Sequence, residues 1–247
     1  MPKKYSYNDF WEMRGRRSIW FTKNISYRMG ALIALIASRV GVSPNTVSLM
    51  SGLITVLSSV WAFYIGSDDW VALVILLVGL QLGYAFDCAD GPLARVTNRQ
   101  SRFGILMDKL VDLSSGMIFP CVLAFGAGSF YWDKHLMTFG VIIPILTLRV
   151  VYSVMIWMKE LILHKADRLK EDARNHTLWW KVKKVVSLYI DEPVYRFGVA
   201  ISWSCSFFWE FFIVYHIGVL VIAFIHFFSS KKEMDWIDRQ RPGNFAT

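Results

Sequence analysis

Four aspartates in this sequence have the types and spacing to do chemistry. Asp87 and Asp90 are three residues apart, Asp108 and Asp112 four. Each pair therefore shares one face if its segment is helical. Carboxylates at the edge of long apolar stretches are costly and mark function. A loop of roughly five residues separates the two stretches, so the helices would be antiparallel neighbours with both acid pairs at one end. Four like charges this close do not all stay ionised without cations. Hard carboxylate oxygens select Mg2+, Mn2+ or Ca2+ over zinc. Two metals between shared carboxylates suit in-line displacement at phosphorus. Arg95, just beyond the first pair, suits a bidentate grip on phosphate. Gly91 and Gly104 carry no side chain where a ligand would approach the backbone. Together these residues describe a site for a pyrophosphate.

The elements that must position them are membrane helices. Hydrophobic residues make up 55% of the 247 and the mean hydropathy is +0.39, against about 45–50% apolar in soluble domains. Six spans are expected, roughly 44–65, 68–96, 102–130, 133–160, 187–207 and 209–230, with Pro44 opening the first at a position that suits proline. Spans 2, 3 and 4 exceed the hydrocarbon thickness and should protrude at the inner face. Before them, Ile25, Met29, Leu32, Ile33, Ile36 and Val40 recur at helical spacing between Arg28 and Arg39. That pattern fits an amphipathic helix lying along the headgroups, a first span being the competing reading. The fold class expected is all-α integral membrane, six transmembrane helices preceded by an interfacial helix. Its parts are an arm and interfacial helix (1–43), a catalytic domain (44–230) and a tail (231–247), with 160–186 a charged connector.

Charge sets the orientation. The segments 1–43, 95–102, 159–186 and 231–247 hold 8, 3, 8 and 4 Lys/Arg, which is 23 of 27. By the positive-inside rule these segments, both termini and the acid pairs are cytoplasmic. The net charge of +8 is thereby explained by anchoring to anionic lipid, with no nucleic acid. Lys3 and Lys4 are followed by no apolar run, so no removable signal peptide is expected. Cys88, Cys121 and Cys205 have no metal-ligand spacing and read as reduced and structural. Trp70, Trp132 and Trp209 are placed like an outer aromatic belt. Lys109 reads as pointing to a different face from Asp108, and the five histidines as structural.

Residues 87–112 run Asp-x2-Asp-Gly-x2-Ala-Arg-x8-Gly-x3-Asp-x3-Asp. This resembles the signature of the CDP-alcohol phosphotransferase (CDP-alcohol phosphatidyltransferase) family at every fixed position. Pro44-Asn45-Thr46-Val47-Ser48 resembles the start of the family's first span, and Asp191-Glu192-Pro193 before Arg196 more loosely its fifth. The resemblance implies two Mg2+ (or Mn2+) ions per site on Asp87, Asp90, Asp108 and Asp112, with Asp112 also taking the proton of the attacking hydroxyl. It implies that Asn45, Thr46, Val47, Ser48, Gly91, Arg95, Ser101 and Gly104 meet the CDP moiety, and that the protein is a homodimer. The activity implied is transfer of a phospho-alcohol from a CDP-linked donor to an acceptor hydroxyl, releasing CMP, in phospholipid biosynthesis. CDP-diacylglycerol with a small polar acceptor is the first reading. A CDP-linked polar alcohol such as CDP-choline or CDP-ethanolamine, with a lipid acceptor, is the alternative.

The acceptor side is less explicit. Family members using inositol phosphate resemble Ser-Tyr-x-Lys-Ala-Arg late in the fourth span, where this chain has Val151-Tyr152-Ser153-Val154-Met155-Ile156. A phosphate-bearing acceptor is thus disfavoured, although Arg149 could substitute. Arg149 and Arg196 are candidate acceptor ligands, each with a structural role as the competing reading. Three other classes compete: an ion-coupled transporter, which would show inverted repeats; a pyrophosphatase using water; and an inert homologue, against which the complete set of aspartates argues.

Overall fold

The computed structural model describes residues 5–15, 20–131, 135–162 and 191–240. All regular structure among them is helical: α1 (Tyr7–Glu12), a π-helical turn (Thr22–Ser26), α2 (Tyr27–Val40), α3 (Pro44–Ile65), α4 (Trp70–Val96), α5 (Arg102–Tyr131), α6 (His135–Ile162), α7 (Glu192–Ser204) and α8 (Phe208–Gln240). Five segments are long and apolar enough to cross a membrane, within α3, α4, α5, α6 and α8. The remaining expected span, 187–207, differs. Its described part is the 13-residue α7, about 20 Å long against a hydrocarbon core of about 30 Å. Residues 163–190, with most of the connector and the start of that span, lie outside the described residues, as does Trp132.

Helix ends follow local chemistry. Ser43 caps α3, its Oγ accepting from the Thr46 N–H at 3.2 Å, and Pro44 follows it. Asp69 Oδ1 caps α4 by accepting from Val71 N–H at 2.8 Å. Gly41 ends α2 in the left-handed conformation (φ 79°). The last turn falls earlier than the sequence suggests: α7 ends at Ser204, Ser206 takes φ 60°, and α8 starts at Phe208. Ser206 thus does a job usually left to glycine. This places Trp209 inside, 7% exposed and edge-on to Phe208 and Phe212, so its expected place in an outer belt is corrected. Trp70 is 73% exposed, as a belt residue would be.

α3 and α4 pack along a seam of small residues. Ser51, Thr55, Ser59 and Ala62 are buried on α3; Gly83 of α4 faces Ser51 and Thr55, with a Cβ there 2.3 Å from Thr55 Oγ1, and Gly79 faces Ser58. Without a hydrophobic drive between helices in lipid, close backbone approach of this kind supplies the packing energy. The opposite ridge of α3 (Leu49, Met50, Leu53, Leu57, Trp61, Tyr64) is exposed, as a lipid-facing surface should be. α2 divides the same way, with Met29, Leu32, Ile36 and Val40 exposed and Gly30, Ala31, Ala34 and Ala37 buried. The helical run is continuous from Trp20 through the π-helical turn to Val40. A Cβ on Gly30 would lie 3.0 Å from the Cys88 carbonyl oxygen, which Pro92 leaves without its helical donor.

Candidate active site

The acids converge where α4 ends and α5 begins. The linker 97–101 turns through Asn98 at φ 54°, and Ser101 Oγ accepts from Gly104 N–H at 2.9 Å to start α5. Asp87, Asp90 and Asp108 each offer a carboxylate oxygen within 4.8 Å of the others. This all-oxygen set fits a hard divalent cation. Asp112, one turn further along α5, lines a cavity with Asp87. α3 supports the cluster directly, because the buried Ser48 hydroxyl donates to Asp90.

Two cavities flank the acids. The first, about 230 Å3, is lined by Asp90, Asp108, Asn45, Ser48, Gly91, Arg95, Ser101 and Gly104, together with Arg99 and Gln100. Of the eight positions expected to meet a nucleotide, six are therefore here. Thr46 and Val47 are not. Asn45 and Ser48 are three apart and share a helix face, whereas the two residues between them rotate away. Thr46 is exposed, its hydroxyl 2.8 Å from Ser43 Oγ, and Val47 is fully buried beside Phe10, Ala89 and Leu93. A Cβ on Gly104 would stand 3.0 Å from Asn45 Oδ1, so glycine there keeps the cavity open.

The second cavity, about 200 Å3, is lined by Asp87, Asp112, Tyr84, Ser153, Trp157, Arg149, Glu192 and Arg196 among others. Both candidate arginines are thus brought to the acids, and both pair with one carboxylate. Arg149 Nη2 is 3.1 Å from Glu192 Oε2, and Arg196 Nε is 3.2 Å from Glu192 Oε1. Arg196 also donates from Nη1 to Thr55 Oγ1 at 3.1 Å and to the Leu80 carbonyl at 2.8 Å. Arg149 lies over the Tyr195 ring at 4.6 Å.

Lys109 requires a correction. Its Nζ lies 3.1 Å from Asp108 Oδ2 and 3.7 Å from Asp112 Oδ2: Lys109 and Asp112 are three apart and share a helix face, and the long stem also reaches back to Asp108. Sequence reasoning also passed over Tyr27. Burial, reinforced by Cys88 and Asp87, holds its phenol above the usual range, with Arg95 and Arg14 opposing.

The fold and this site define a multi-pass membrane protein with a carboxylate cluster between two polar cavities. The CDP-alcohol phosphatidyltransferase model matches residues 41–190, and the chain belongs to that family. It is also similar to an archaetidylinositol phosphate synthase of Pyrococcus horikoshii, 36% identical over 98 residues, covering 40% of this chain and 48% of that protein. The match thus spans about half the length of that relative.

Proposed function

We propose that this protein transfers a phospho-alcohol, most simply phosphatidyl from CDP-diacylglycerol, to a small acceptor alcohol, releasing CMP. One observation carries the reading: the acid cluster stands between a cavity lined by Arg95 and the glycines and another lined by Arg149 and Arg196. A donor in the first and an acceptor in the second would meet at the carboxylates. Asp87, Asp90, Asp108 and Asp112 would hold two Mg2+ or Mn2+ ions. When bound, these supply neutralisation of the pyrophosphate and stabilise the oxygens entering and leaving phosphorus.

The chain's own groups do the rest. Arg95 binds phosphate oxygens, while Asn45, Ser48, Ser101 and the open faces of Gly91 and Gly104 seat the nucleotide. The acceptor oxygen forms a bond to the phosphorus bearing the donor alcohol, and the bond from that phosphorus to the CMP oxygen breaks. Asp112, lining the acceptor cavity, takes the hydroxyl proton. A cavity of about 200 Å3 suits a small polar acceptor better than a diacylglycerol. The relative's name concerns an inositol phosphate lipid, and Arg149 and Arg196 offer this chain cations for an anionic group on the acceptor. The same reading puts the site and both termini on the cytoplasmic face, by the distribution of basic residues, and makes the protein a homodimer. An assay of CMP release tests it, crossing CDP-diacylglycerol and CDP-choline with serine, inositol, inositol phosphate, glycerol phosphate and diacylglycerol. Release driven by CDP-diacylglycerol plus one small alcohol supports the reading. Release requiring CDP-choline and diacylglycerol moves it to the alternative donor class, and release without any alcohol identifies a pyrophosphatase.

A further inference from the structure

α1 is only six residues long, yet it is held firmly. Asp9 accepts from the Ser6 N–H at 2.7 Å to close its capping box. Phe10 is fully buried among Ala31, Ala34, Val47, Ala89 and Leu93, which belong to α2, α3 and α4. The chain leaving α1 passes directly over the end of α4. There the Met13 carbonyl accepts from Arg95 Nε at 3.0 Å, a contact between residues 82 positions apart. Arg14 is fixed alongside, its Nη1 donating to the Trp11 carbonyl at 2.6 Å and its guanidinium stacked on the Trp11 ring at 3.9 Å.

The consequence for Arg95 is geometric. A guanidinium has one Nε and two Nη groups in a rigid plane. Occupying Nε with a backbone carbonyl fixes that plane and leaves the Nη edge for a ligand. Here Nη2 and Nη1 lie 3.0 and 3.2 Å from where a Cβ on Gly91 would be, so the fork lies across the bare face of Gly91 and Arg95 lines the first cavity. The Nη atoms make no hydrogen bond among the described residues.

We propose that the N-terminal segment Tyr7–Met13 is a positioning element of the donor site, aiming Arg95 at the diphosphate of the CDP donor through the Met13 carbonyl. This rests on the reading of Arg95 as a phosphate ligand. Positioning an arginine for a bidentate, charge-assisted pair lowers the ordering cost of binding. Loss of the segment therefore weakens donor binding while the acids remain intact.

The test is steady-state CMP release by the full-length protein carrying Phe10→Glu, which cannot keep a charge in the α1 pocket, beside Phe10→Leu, Arg95→Ala and the Phe10→Glu/Arg95→Ala double variant. Phe10→Glu is expected to raise the donor KM about tenfold with kcat within twofold, and Phe10→Leu to restore it. In the double variant the donor KM should match that of Arg95→Ala alone, because both changes act through one guanidinium. Phe10→Ala serves the same comparison if the glutamate variant does not fold. Independent, multiplying effects of the two substitutions, or a fall in kcat with donor KM unchanged, would overturn the positioning role. An Arg95→Ala variant with unaltered donor KM would instead remove Arg95 from the donor site, and that outcome is distinguishable because it appears with α1 intact.

Discussion

Lys109 Nζ stands 3.1 Å from Asp108 and 3.7 Å from Asp112, so the acid cluster carries a cation of its own. That ammonium competes electrostatically with any divalent ion the aspartates hold. Lys109→Gln should therefore lower the Mg2+ concentration giving half-maximal CMP release, by about threefold at low ionic strength. A metal titration checks this. An increase would mean that Lys109 supports the loaded site instead of opposing it.

Glu192 holds two arginines, one of which, Arg196, is 6% exposed. Breaking a fully buried pair costs about 3–5 kcal/mol; with Glu192 29% and Arg149 19% exposed, the cost here falls below that range. Glu192→Gln is thus expected to lower the melting temperature in detergent and to impair turnover together. Arg149→Gln should behave differently, raising the acceptor KM about tenfold with the donor KM unchanged. A loss of folded yield alone would assign Arg149 a structural role.

Two glycines should separate packing from binding. A Cβ at Gly83 meets Thr55 Oγ1 at 2.3 Å and the Ser51 carbonyl at 3.1 Å, so Gly83→Val should abolish folded protein by prying α3 from α4. At Gly104 the neighbours are the Asn45 and Ser101 side chains at 3.0 and 3.1 Å, both at the cavity. Gly104→Ala should leave melting within a few degrees and raise the donor KM. Chromatographic yield and kinetics read the two outcomes directly.

Asp112→Asn should cut CMP release by about 10³-fold, in the range for loss of a general base, while CDP-diacylglycerol binding persists. Turnover near that of the unaltered protein would take Asp112 out of the proton-accepting role.

The acids were legible because their spacing alone puts them on facing helix ends, and the short linker fixes the helices as neighbours. Arg149 and Arg196 were visible as costly charges, and Glu192 stands at i,i+4 spacing to Arg196; that it also holds Arg149, 43 residues away, was not legible from any local pattern. Lys109 differs from the expectation because its face is set against Asp108, its neighbour, whereas its three-residue spacing to Asp112 places it beside the acids. Thr46 and Val47 were included as a contiguous run, although a helix shows a cavity only every third or fourth residue. The docking of α1 was hidden for another reason: six residues give no periodicity, and Phe10 counts as one aromatic among many until its pocket is formed by three distant helices. The π-helical turn before α2 also has no sequence signature. It buries Thr22, whose hydroxyl donates to Asp191 at 2.7 Å, and so ties α2 to the start of α7.

The most direct measurement is CMP release from CDP-diacylglycerol by the purified protein after exhaustive chelation and dialysis, followed by titration with Mg2+ or Mn2+. The account requires release to vanish on stripping and to return with the added ion, and the Asp87→Asn variant to stay inactive at every concentration. Undiminished release from metal-free protein, or full recovery in Asp87→Asn, would contradict it.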